Sequence, residues 1–178
     1  PGVGTQIFTY DPAGNRLSRT MTGEPYQEYK YNSVNELLAV KAGAVQTAYT
    51  WDQIGNLASR SSNLAPGTDF TFDGLSRLSQ VASSSTVVTY GYDHNGQRVK
   101  QRTNGADTWF VFDGLSVVME MNAARRPTTV FTPGVCKSRL DLAAPLTEYY
   151  LYDGLGSVVQ LTDAMGNPTQ EYQYDPFG

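Results

Sequence analysis

The sequence predicts an all-β fold: tandem hairpins of about twenty residues joined into one continuous, curved antiparallel sheet. Three observations lead there. Aromatic residues recur in eight pairs, one residue apart, and each pair runs straight into an Asp- or Asn-led turn. Those Asp and Asn positions stand 21, 20, 21, 20, 20, 40 and 22 residues apart. No stretch sustains a helical period; Leu37 to Ala44 comes nearest, and Gly43 and its strand-like surroundings weaken it.

The units follow one another along the chain. Phe8 and Tyr10 lead into Asp11, Tyr29 and Tyr31 into Asn32, Tyr49 and Trp51 into Asp52, and Phe70 and Phe72 into Asp73. Tyr90 and Tyr92 then lead into Asp93, Phe110 and Phe112 into Asp113, Tyr150 and Tyr152 into Asp153, and Tyr172 and Tyr174 into Asp175. Residues i and i+2 of a strand share a face, so each pair projects together. Stacked at one register, the pairs build an aromatic ladder that holds neighbouring units, each ring burying on the order of 150 Å². The pairs take sixteen of the 21 aromatic residues, so apolar material is dealt out per repeat.

The turns have their own chemistry. Asp11-Pro12-Ala13-Gly14-Asn15 joins a carboxylate that can accept a backbone N–H two residues on, a proline with preset φ, and a glycine for the positive φ. Gly55 and Gly96 stand in the same place after Asp52 and Asp93, and Asn35 replaces the glycine after Asn32. Gly156 and Gly178 follow Asp153 and Asp175 at this spacing. Alternating return strands such as Arg16 to Thr20 come next, which makes two strands of about seven or eight residues per unit. The opposite turn is clearest at Asn104-Gly105, a type I′ hairpin signal. The 40-residue gap before Asp153 is two periods, with a worn copy at Val130 to Gly134. Residues 137–147 read as a loop and the least ordered part of the chain, since alternation is absent and Pro145 interrupts.

Composition narrows the function. A net charge of −4 and a single short basic stretch, Arg125-Arg126 with Lys137 and Arg139 beyond, argue against nucleic acid and read as solvated surface. One cysteine, Cys136, allows no internal disulfide and reads as a loop thiol. No apolar run approaches the ~20 residues of a membrane-spanning helix. The start at Pro1 without Met, and the end at Gly178 inside a motif, read as cuts within a larger protein.

Candidates for chemistry are few. His94, the only histidine, fills the variable slot of a turn, with no oriented partner or nucleophile indicated. Gly154-Leu155-Gly156-Ser157 lacks the third glycine of a dinucleotide fingerprint and the spacing of a nucleophile elbow. The aspartates come one per repeat, so a Ca²⁺ site would need stacking to assemble; turn bonding accounts for Asp and for the neutral Asn32 alike. These features point to no enzyme, cofactor or metal. The tyrosine ladder reads as packing, with stacking on sugar rings as the other use of an aromatic row.

Tyr-Asp-x-x-Gly-Asn/Gln-Arg/Leu at a period near twenty resembles the YD repeat of the Rhs and Tc-toxin C-component proteins, which teneurins share. The likeness covers almost the whole chain. It is most specific from Tyr149-Tyr150-Leu151-Tyr152-Asp153-Gly154-Leu155-Gly156-Ser157 to Asp175-Pro176-Phe177-Gly178. The resemblance implies a β-ribbon spiralling into a hollow shell, which encloses a C-terminal effector in toxin branches and serves adhesion in others. It divides the chain into a repeat array over 1–136, a loop over 137–147, and the start of an Rhs-core-like region over 148–178. Self-cleavage in some members uses carboxylates of a later core motif, beyond Gly178, and no residue here inherits that role. The implied protein is a secreted or surface-exposed bacterial scaffold, with toxin cargo, its own parent chain or other copies joined through strand edges as partners. The alternative is an adhesion or carbohydrate-binding module, or a filament subunit.

Overall fold

A computed structural model describes residues 5–132, 138–143 and 145–174. Seventeen strands and no helix make up the described residues, and each strand pairs antiparallel with its sequence neighbour. The all-β, antiparallel hairpin expectation holds. The chain forms two compact units, residues 1–89 and 90–178, dividing inside a strand.

The first unit contains β1 (Gln6–Tyr10), β2 (Arg16–Met21), β3 (Gln27–Tyr31), β4 (Leu37–Ala42), β5 (Val45–Trp51), β6 (Leu57–Ser62), β7 (Ala65–Phe72), β8 (Leu78–Ser83) and the beginning of β9 (Val87–Tyr92). Most strands are five or six residues, shorter than expected, because the Asp-led loops take five residues of each period. Leu37–Ala42 is a strand: Tyr29 faces Val40 and Tyr31 faces Leu37 across the ladder.

The register explains the two-faced pattern. Between the two aromatics of each of the four pairs in this unit the ladder slips, so Tyr49 stands opposite Arg60 and Trp51 opposite Leu57, while Phe70 stands opposite Val81 and Phe72 opposite Leu78. The extra residue (Leu38, Ala58 or Ser79) sits in the return strand, as in a β-bulge, which bends the strand and raises its twist. One face thus collects the aromatic pairs with Leu37, Val40, Leu57, Leu78 and Val81. The other carries Thr9, Ser18, Glu28, Lys30, Lys41, Thr50 and Ser59, with Thr9 and Ser18 hydroxyls 2.6 Å apart and those of Thr50 and Ser59 likewise.

The second unit holds the rest of β9, then β10 (Arg98–Thr103), β11 (Ala106–Asp113), β12 (Ser116–Met121), β13 (Pro127–Thr132), β14 (Ser138–Asp141), β15 (Leu146–Tyr152), β16 (Val158–Thr162) and β17 (Pro168–Glu171). The type I′ reading at Asn104-Gly105 is matched by φ of 47° and 91°. The loop expected over 137–147 is corrected at Ser138–Asp141, where β14 pairs with β13 and with β15, and at Leu146 and Thr147, which open β15; residues 137 and 144 lie outside the described residues. The strand forms because Arg139 lies opposite Glu148 while Leu140 lies between Val130 and Thr147, a short alternation masked by the turn that follows. Pro145 immediately precedes β15, where no ladder N–H is needed. Of the worn copy, Phe131 lies in β13; Pro133 and Gly134 fall outside the described residues.

Few side chains leave solvent. Leu161, 2% exposed, is the fully buried hydrophobic residue among those described, and Ser18, Glu148 and Thr162 are the buried polar ones.

Candidate functional site

The turns share one geometry. Asp11 Oδ1 accepts the N–H of Ala13 at 2.9 Å and of Asn15 at 2.8 Å, while Oδ2 accepts Asn15 Nδ2 at 2.9 Å. The backbone closes the same loop, Gly14 N–H donating to Asp11 C=O and Asp11 N–H to Asn15 C=O. Asp52 repeats this with Ile54 and Asn56, Asp73 with Leu75 and Arg77, Asp93 with Asn95 and Gln97, and Asp153 with Leu155 and Ser157. His94 and Gly154 are exposed residues of such loops.

Electrostatics follow from these bonds. The Asn15 side chain, then its backbone N–H, holds Asp11 below the ordinary carboxylate range, and Asn56 does the same for Asp52. The backbone N–H of Arg77 lowers Asp73, with help from its guanidinium.

Asn32 inverts the polarity of the loop. Its Oδ1 still accepts from Val34 and Glu36, but its Nδ2 donates to Glu36 Oε2 at 2.6 Å. Where the fifth residue is an acceptor, the first must donate. Asn32→Asp sets two carboxylates against each other and is expected to cost about 1 kcal/mol, one hydrogen bond's worth. Adding Glu36→Asn should restore most of the loss, which a double-mutant cycle in urea measures.

The fourth loop position always has positive φ: Gly14, Gly55, Gly96, Gly156 and Gly166, but also Asn35, Ser76 and Arg125, the last two at 57° and 59°. A left-handed residue with a Cβ costs roughly 1–2 kcal/mol. Ser76→Gly is therefore expected to stabilise the first unit by about 0.5–1 kcal/mol after its greater unfolded-state entropy is subtracted, read as a raised thermal midpoint.

The structure revises the roster of loops. Asp113 pairs directly with Ser116 across a two-residue Gly114-Leu115 turn, so it does not head a five-residue loop. Two further loops lie at the far end of the return strands: Asn122 accepts from Ala124 and Arg126, and Asp163 from Met165 and Asn167. Both were missed as repeat positions because neither follows an aromatic pair. Asp175, Gly178 and Cys136 lie outside the described residues. Tyr172 and Tyr174 lie just past β17, the Tyr174 hydroxyl donating to Val158 C=O at 2.7 Å.

Neighbouring hairpins interlock through this machinery. Asn15 Nδ2 reaches Asn35 Oδ1 in the next loop at 2.8 Å. The Arg16 guanidinium sits 4.8 Å over the Phe8 ring and 5.6 Å over that of Tyr29, bridging two units. Arg98 does the same at 5.2 Å over both Tyr90 and Phe110. Trp51 Nε1 donates to Leu37 C=O at 2.9 Å. The aromatic pairs are half-buried for the most part, with Tyr10, Tyr152, Tyr172 and Tyr174 exposed.

Of the cations read as solvated surface, Arg126 is exposed and Lys137 lies outside the described residues, while Arg125 and Arg139 are corrected. Arg125 lies 3.4 Å over the Trp109 ring, whose other approach is Lys100 at 4.6 Å. Arg139 is bound through Nε and Nη2 to Glu148 Oε2, while Thr169 Oγ1 donates to Oε1 at 2.6 Å. Glu148 is only 3% exposed; the Thr169 hydroxyl, then Arg139, holds its carboxyl below the ordinary range against the effect of burial. Sequence gave no sign of this cluster, which exists because β14 pairs with β15. No group of three or more His, Cys, Asp or Glu suited to a metal occurs among the described residues, nor a helix long and apolar enough to cross a membrane.

Known proteins place this geometry. The chain matches the teneurin YD-shell family over residues 2–178. No curated protein matches. Among solved structures, it is similar to a chain of the Tc holotoxin pore of Photorhabdus luminescens, at 13% identity and a TM-score of 0.41, covering 97% of this chain. A TcdB2–TccC3–Cdc42 crystal structure is similar at 14% identity and 0.43, and TcdB2–TccC3 without its hypervariable C-terminal region at 13% and 0.44, each covering 99% of this chain. The chain spans 13% of the length of those three chains. Hairpins of about twenty residues, Asx-pinned loops and paired aromatics on one face thus have a family, and this chain belongs to the teneurin YD-shell family.

Proposed function

We propose that the chain is a structural segment of a secreted or surface-exposed YD-repeat scaffold, and that in its parent protein it forms part of a shell enclosing a C-terminal toxin. The observation that carries this reading is where the polar and aromatic residues are used. Loop carboxylates bind their own loops, and guanidinium groups and Trp51 bridge adjacent hairpins. The chemistry serves cohesion between repeats. Twenty-residue hairpins each depend on neighbours for burial, so stability accrues by nearest-neighbour terms. Residues 148–178 begin the core-like region in this proposal, and the partners are the remainder of the parent chain and the enclosed cargo.

The test is protease protection of the full-length parent protein. The reading expects the region after the shell to resist digestion while the shell is intact and to become cleavable once the shell is opened by denaturant. Digestion of that region at the same rate in both states contradicts enclosure and leaves an open scaffold.

A further inference from the structure

We propose that the aromatic face of the second unit holds a binding cleft for a neutral pyranose sugar. The cleft has a volume of about 470 Å³, within the roughly 300–1,000 Å³ of small-ligand sites. Its walls are the rings of Tyr92, Phe110, Phe112 and Phe131, with Arg98 and Glu120 as the charged groups.

The space opens because a short side chain stands at the start of this return strand, a place held by leucine opposite Tyr31, Trp51 and Phe72 and by arginine opposite Tyr10. Arg16 pairs with Tyr10 at the start of its return strand and spans the rings of two successive hairpins. At the corresponding place opposite Phe112 stands Val117, whose side chain ends at Cγ and cannot reach across. The interval between the β11 rings and Phe131 is left for something else to fill.

The polar groups select the occupant. Glu120 lies between Phe110 and Thr129 across the ladder, and its carboxylate has no hydrogen-bond or ion-pair partner among the described residues. Arg98 lays its guanidinium over Tyr90 and Phe110, leaving in-plane N–H groups to donate sideways. A purely apolar ligand would strip water from Glu120 without replacing its hydrogen bonds, an unfavourable exchange. An anion would face Glu120, and a simple cation would face Arg98. A pyranose satisfies all the walls at once: its C–H face lies on the rings, one hydroxyl donates to Glu120, and another accepts from Arg98.

Titration of the 178-residue chain with cellotriose, followed by aromatic ¹H–¹³C NMR, tests this. Saturable shifts confined to Phe110, Phe112, Phe131 and Tyr92 are expected. Glu120→Ala should weaken binding about tenfold, the equivalent of one charge-assisted hydrogen bond. Val117→Arg places a guanidinium where Arg16 sits in its own hairpin; it should abolish binding while the amide spectrum keeps its dispersion. The proposal is overturned by an absence of saturable shifts up to about 50 mM, a millimolar-range limit, or by binding that survives Val117→Arg. Saturation by tetramethylammonium in place of cellotriose also overturns it, in favour of a cation site.

Discussion

Trp51→Ala is expected to destabilise the first unit by about 2–4 kcal/mol, somewhat under the roughly 3–5 kcal/mol of a fully buried tryptophan because the ring is half-exposed. Two losses combine. The ring leaves the aromatic face beside Leu57, its cross-strand partner. The indole N–H also leaves Leu37 C=O, a bond that ties the end of β5 to the start of β4 and hence one hairpin to the one before it. Trp51→Phe separates the two: it keeps most of the apolar surface and forfeits only the hydrogen bond, about 1 kcal/mol. Urea unfolding of the three proteins gives both increments. Equal losses for Ala and Phe would mean that the bond, not the ring, does the holding.

The second large effect is at Glu148. Glu148→Ala leaves Arg139 without its partner and Thr169 without its acceptor. Breaking a fully buried pair costs roughly 3–5 kcal/mol; the Arg139 side chain is 36% exposed, which lowers the expectation to about 2–3 kcal/mol. The same site predicts a pH response. Glu148, Asp11, Asp52, Asp73 and Asp163 all titrate below their ordinary values when folded. A depressed carboxylate contributes stability that is complete above its unfolded pKa, about 4, and is lost as pH falls through the folded value. Melting temperature should therefore hold between about pH 5 and 7 and fall below about pH 4. Glu148→Gln should shrink that acid loss by its own share, which thermal melts across the range will show.

Much of this architecture is written in the order of residue types. Paired aromatics with an Asp or Asn behind them mark hairpin ends because strand period and Asx-turn bonding both operate within a few residues. The misreadings have equally local or plainly distant causes. Asp113 carries the right four letters, yet its chain takes the two-residue Gly114-Leu115 turn, and Val117 offers no polar side chain where Asn15, Glu36, Asn56 and Arg77 return a bond. Asn122 heads a true loop behind Met119 and Met121, with Arg125 taking the left-handed position that glycine usually marks. Glu148 could not be seen at all: its burial needs Arg139 from β14 and Thr169 from beyond β17's first residue, contacts set by strand pairing across tens of positions. The sugar cleft has the same character, since an aromatic row is legible in sequence but the gap left by Val117 is not.

Native-state hydrogen exchange on the wild-type chain and Trp51→Ala tests the central claim, that each hairpin is held by side chains reaching to its neighbour. The account predicts that amides of β4 to β6 lose protection together in the variant, while those of β10 to β12 keep theirs. Protection lost only within the β5–β6 hairpin would show hairpins that stand independently, and the nearest-neighbour scaffold would have to be abandoned.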